Sequence, residues 1–221
     1  DFIKKFILLW RHSMYQLLLD SSNKYVAVGI GQNGKVIDSI FYDAWQRQSE
    51  VMVSEIDNIL KRNHLTKENL DAVVVGIGPG SYTGVRIGIT IAKTIAYALK
   101  VKVYKVSSLS LLRVGEDPTI CIFNARSGRS YVGVYQGETC MLEDQVMYNE
   151  DLLKYIDEHK YFKVTGDTLN LGLESDKFDI VEKLAKSINK ANEEENIFAL
   201  NPKYLKDLTK WFQSENVKLK I

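Results

Sequence analysis

Residues 72–88 read AVVVGIGPGSYTGVRIG, and the strand-to-helix junction they describe sets the fold. Residues 72–77 form a short apolar run of strand type, Gly78-Pro79-Gly80 stops it, and the apolar pattern that follows predicts a helix over 83–99. Five glycines fall within the thirteen residues 76–88. Glycine permits positive φ and close backbone approach. A helix N-terminus flanked by Ser81 and Thr83 can receive an anion or phosphate, or the same residues can form a tight turn capped by either hydroxyl. No Gly-Lys-Ser/Thr follows, so the stretch is not a P-loop, and its spacing departs from the dinucleotide fingerprint.

Upstream, β-like runs at 15–20, 25–30 and 35–42 are separated by Ser21-Ser22-Asn23 and Gly31-Gln32-Asn33-Gly34, both turn chemistry, which predicts an antiparallel meander. Met52, Ile56, Ile59 and Leu60 recur at helical spacing over 48–63, with Ser49 as N-cap. A strand over 101–106 completes a mixed sheet, a meander at one side and parallel crossovers after it. The pattern resumes with strands at 119–123 and 130–135 and helices at 150–158 and near 179–189. We therefore expect an α/β protein of two lobes, residues 14–106 and 107–221, with a polar stretch from 192 that packs back through Pro202, Tyr204, Leu205 and Trp211.

The 221 residues suffice for two small domains, and 45% hydrophobic with 26% charged residues excludes neither core nor solubility. A net charge of +1 gives no strong overall field toward nucleic acid. Cys121 and Cys140 have no metal-ligand or CxxC spacing and read as reduced thiols of a cytoplasmic protein. Residues 1–13 are too short to span a bilayer and lack a cleavage site. They read as an expression scar or extension before Met14, or as a short amphipathic helix with Phe2, Ile3, Phe6, Ile7 and Trp10 on one face.

The string 76–88, with Leu17-Leu18-Leu19-Asp20-Ser21-Ser22, Ser107-Ser108-Leu109, residues 124–131 and Pro202-Lys203-Tyr204-Leu205, resembles the TsaB (YeaZ) family over nearly the whole chain from Met14. The resemblance implies an actin-like and hexokinase-like (ASKHA) fold of two related α/β lobes, the second abbreviated. It also implies a part in making threonylcarbamoyl-adenosine at position 37 of tRNAs that read codons beginning with A. There the family acts as a non-catalytic partner: it supports TsaD, which binds metal and transfers the threonylcarbamoyl group, together with the ATPase TsaE. ATP and metal are accordingly expected in the partner subunits, with no cofactor bound by this chain alone, and a homodimer is expected when it is alone.

The residues that catalysis would need are weakly represented. TsaD holds metal with paired histidines one helical turn apart, whereas His12, His64 and His159 are scattered, so no metal site is expected. Nucleotide hydrolysis in the actin-like fold uses an aspartate with glycine and hydroxyl residues in each of two phosphate loops. The first loop here, Asp20-Ser21-Ser22-Asn23, lacks glycine, and Asn124 stands where relatives commonly carry aspartate. Arg129 replaces a frequent glutamate, reversing a charge near the expected cleft. No catalytic residue is assigned. Asp20, Ser21, Gly80 and Ser81 remain as weak candidates for ligand binding. An ATP-dependent phosphotransferase and a metallopeptidase are the competing readings.

Helix 83–99 is apolar around most of its circumference, so one sheet face cannot cover it. Gly84 and Gly88 remove side chains from one stripe and would let a neighbouring helix approach. Met52, Ile56, Gly84, Gly88, Ile91 and Ile95 are therefore the expected partner interface, unless helix 48–63 covers that stripe within the chain. No membrane association is expected.

Overall fold

The structure, a computed structural model, describes residues 14–205. Strands β1 (Tyr15–Asp20), β2 (Tyr25–Gln32) and β3 (Lys35–Asp43) form the antiparallel meander. Asn33 and Gly34, both at positive φ, close the β2–β3 hairpin as a tight turn of matching twist requires. Helix α1 (Gln48–Arg62), β4 (Leu70–Gly76), helix α2 (Tyr82–Leu99) and β5 (Lys102–Val106) add two parallel crossovers. The resulting five-stranded sheet has the order β3-β2-β1-β4-β5. Strands β6 (Thr119–Arg126), β7 (Arg129–Gln136), β8 (Thr139–Tyr148) and β9 (Lys163–Gly166) form a second sheet in the order β8-β7-β6-β9. It repeats the first four positions of the first sheet, with β9 parallel to β6, and stops one strand short.

The apolar patterns explain the layers. β1 is covered on both faces, which is why Leu17-Leu18-Leu19 runs without alternation. Leu17, Leu19, Val73 and Val75 meet Met52, Ile56 and Ile59 of α1 and Val85, Ile89, Ala92 and Ala96 of α2. Each large side chain buried there contributes about 1.5–3 kcal/mol. On the opposite face, Leu18, Ala72 and Val74 share one cluster with Cys121, Phe123 and Tyr135 of the second sheet. Helix α3 (Asn149–Glu158) covers the outer face of the second sheet through Leu152.

Helix α4 (Ile180–Lys186) packs on the first sheet through Ile180, Val181, Leu184 and Ala185, inside the cluster that joins both lobes. Chain after residue 107 thus also packs on the first sheet, where α4 lies over β1, β2 and β3. The α1 N-cap is Arg47, without a side-chain cap bond, because the helix begins at Gln48, whose buried amide donates to the Asn23 carbonyl (3.0 Å). Strands β8 and β9 carry no strand signal in the sequence: β8 holds Glu143, Asp144 and Gln145 within its run, and β9 has only four residues. The readings on residues 1–13 and Trp211 lie outside the described residues. Among the described residues no helix is long and apolar enough to cross a membrane.

Candidate functional site

Strand β1 ends on Asp20 beside the end of β4, and the first loop meets the glycine-rich stretch there. Ser22 donates to Asp20 Oδ1 from its hydroxyl (2.8 Å) and its amide (3.1 Å). Ser108 Oγ donates to Oδ2 (3.0 Å) and accepts from the Gly78 N–H (2.9 Å). Burial pushes the Asp20 carboxyl above its ordinary range, against the pull of the Ser22 and Ser108 hydrogen bonds. Asp20 is a buried strut between the first loop and the lobe junction, with both oxygens spent inside the chain.

The glycines serve the same contact. A Cβ on Gly76 would sit 1.9 Å from Asp20 Oδ2, and one on Gly84 would sit 2.0 Å from the Ser21 carbonyl oxygen. Ser21 Oγ donates to the Gly84 carbonyl (2.8 Å), and the Ser81 N–H donates to the Ser22 carbonyl (2.6 Å) against Gly80. Ser81 Oγ caps α2 by accepting from the Gly84 N–H (3.3 Å). Of the four weak ligand candidates, Asp20 and Ser21 are buried, while Gly80 and Ser81 border the interlobe cavity. The Asp20, Ser21 and Ser22 side chains turn to one another, to Ser108 and to α2, while Asn23 faces the cavity.

Beyond this junction lies a cavity of about 900 Å³ between the ends of β1 and β6, bordered by Asn23, Trp45, Tyr82, Arg126 and Asp167. The Asn23 side-chain amide donates across it to Asp167 Oδ1 (3.1 Å), while the Asn124 N–H donates to Oδ2 (2.9 Å). The Asn124 side chain accepts from the Arg126 N–H (2.7 Å), shaping the β6–β7 turn, in which Arg126 has φ 61°. An aspartate at 124 would set a second carboxylate next to Asp167, so asparagine suits this environment. Arg129 starts β7 and does not border the cavity, which removes the expected charge reversal from the cleft. Asp167 was not singled out in the sequence. A lone acid after a four-residue strand carries no signal until the fold sets it opposite Asn23. Among the described residues no three histidine, cysteine, aspartate or glutamate side chains are grouped to hold a metal.

The helical face also needs revision. Met52 and Ile56 are buried against the first sheet, and Gly84 and Gly88 are buried against the Ser21 loop, so these four are not available to a partner. Apolar spacing located the stripe correctly, but that stripe points at the sheet. Ile91 and Ile95 are half-buried at the margin of the same core. The outward apolar side chains of α1 and α2 include Val53 and Tyr97, 60% and 67% exposed. Tyr97 meets Phe198 edge to face (ring centroids 5.9 Å apart), and α1 and α2 touch each other.

A five-stranded sheet repeated in shortened form by a four-stranded one, with a cleft where β1 and β6 end, defines an α/β protein of actin-like and hexokinase-like fold. The model of a family described as "TsaD: tRNA N6-adenosine threonylcarbamoyltransferase" matches residues 42–212. The chain is 35% identical over 134 residues to the tRNA threonylcarbamoyladenosine biosynthesis protein TsaB of Bacillus subtilis (strain 168), covering 59% of this chain and 58% of that protein. It is 27% identical over 132 residues to the TsaB protein of Buchnera aphidicola subsp. Schizaphis graminum, covering 57% and 62%. The chain thus spans less than two thirds of the length of these curated relatives. The solved structure "YeaZ from Pseudomonas aeruginosa" superposes with a TM-score of 0.71 at 20% identity, over 87% of this chain and 100% of that one, which speaks to the fold. The chain belongs to this family, as one of its TsaB (YeaZ) members.

Proposed function

We propose that this chain works in tRNA threonylcarbamoyladenosine biosynthesis as a non-catalytic partner subunit, binding and supporting TsaD together with the ATPase TsaE. The observation that carries this reading is the division of labour around α2. Its N-terminal end is tied to Ser21 and Ser22 by the chain's own hydrogen bonds, which disfavours a phosphate-transfer role. Along its length, with α1, it keeps Val53, Ile91, Ile95 and Tyr97 wholly or partly in solvent. A binding subunit needs an apolar surface on a firm scaffold, and exposed aromatic and aliphatic side chains are the common anchors of such surfaces. The names of the curated relatives support the pathway.

On this reading the same face would pair two copies of the chain when TsaD is absent, as a patch that is self-complementary can. ATP and metal then belong to the partner subunits. The test is association: purified chain and TsaD are mixed, and the complex is measured by light scattering coupled to size exclusion. Formation of a complex that Ile95→Glu weakens, with unchanged circular dichroism, is the expected result; a folded I95E chain that binds TsaD as wild type does rejects this surface.

A further inference from the structure

We propose that residues 200–204 are a latch that fastens the two lobes together at the mouth of the interlobe cleft, closed by the pairing of Lys203 with Asp144. The segment is rooted in the first lobe: Leu200 is fully buried in the core under α1 and α2, and Ile197 packs beside it. The Lys203 N–H donates to the Ile77 carbonyl (2.7 Å), so the backbone runs along the glycine-rich stretch. Tyr204 stacks on Tyr82 (ring centroids 5.3 Å apart), and its hydroxyl accepts from Arg86 Nε (2.6 Å). All of these contacts belong to the first lobe.

The Lys203 side chain leaves in the other direction. Its ammonium donates to Asp144 Oδ2 (2.9 Å) in β8 of the second lobe. That carboxylate side chain is 0% exposed, against 33% for Lys203. Asp144 also accepts from Ser107 Oγ (2.6 Å), in the segment that joins the lobes, and from the Tyr135 hydroxyl. A buried carboxylate holding three donors from separate parts of the chain ties those parts together, and releasing the ammonium would leave its charge without a counter-ion in a low dielectric. Lys203 is the one cationic member, and it is attached to the first lobe by its own backbone. With the apolar cluster shared by both sheets, the latch fixes the width of the cleft instead of leaving a hinge free to close.

Amide exchange followed by NMR tests this in the wild-type chain and in variants. In wild type, the Lys203 and Ser108 amides, bonded to the Ile77 and Gly78 carbonyls, should be protected together; exchange of Lys203 at the rate of an unprotected terminus would overturn the latch. Lys203→Met should speed both amides by roughly tenfold or more while Val74, in the centre of β4, keeps its rate. K203R should restore protection. In an Asp144→Asn background the added effect of K203M should shrink to about nothing, as expected for groups acting through one contact. Equal acceleration by K203M with and without D144N, or no acceleration at all, contradicts the proposal.

Discussion

Replacing Gly84 by alanine should destabilise the isolated chain. The new Cβ would stand 2.0 Å from the Ser21 carbonyl oxygen, where ordinary contact begins at 3.4 Å, so α2 or the first loop must yield by more than an ångström. The obstructing atom is backbone, and the loop is tied to α2 by the Ser21 hydroxyl (2.8 Å), so neither moves freely. Overpacking of this kind costs about 1–3 kcal/mol, and losing the hydrogen bond costs about another 1 kcal/mol. Alanine's better helix propensity offsets about 1 kcal/mol. The net expectation is a loss of about 1–3 kcal/mol, read as a lower urea midpoint at unchanged slope. An open stripe on α2 awaiting a partner would give the opposite sign, a gain of about 1 kcal/mol from propensity alone. A G84A chain as stable as wild type, or more stable, refutes the intramolecular reading.

Two neighbours on α1 should behave in opposite ways. Val53→Lys should stay within about 0.5 kcal/mol of wild type in denaturant, whereas Met52→Lys, placing an unpaired charge in the core, should cost at least about 3 kcal/mol; similar midpoints would contradict the burial assigned to them. Asp20→Asn should change the pH profile. The Asp20 carboxyl is raised above 3.8 in the folded chain, so the stability it gives is complete at low pH and is lost as pH rises through the folded value. D20N cannot ionise and should gain on wild type as pH rises above the ordinary carboxylate range. Parallel urea-midpoint profiles would rule that out. Titration calorimetry with magnesium–ATP should give no binding isotherm for the chain alone, and tight binding would revive the phosphotransferase reading.

Much of the first lobe was legible because its elements announce themselves locally. The 72–88 string holds a strand, a stop and a helix start in order, and Asn33-Gly34 names its own turn. The second lobe was harder to read. β8 is an edge strand with mid-strand acids, one of which, Asp144, is buried only because Lys203, Ser107 and Tyr135 converge on it. No local pattern encodes a meeting of residues so far apart. The same limit explains the site. Glycine spacing on α2 suggested an open groove, but whether a small residue admits another helix or the chain's own Ser21 loop depends on the tertiary fold. Met52 and Ile56 were recognised as an apolar stripe, and periodicity alone does not say which body covers it.

Reconstitution tests the proposed role most directly. TsaD and TsaE, supplied with tRNA and the enzyme that forms threonylcarbamoyl-adenylate, are assayed for modified adenosine with and without this chain. Modification that depends on the chain, and that survives Asp20→Asn but falls with Ile95→Glu, is the predicted result. Full modification in its absence would contradict the account.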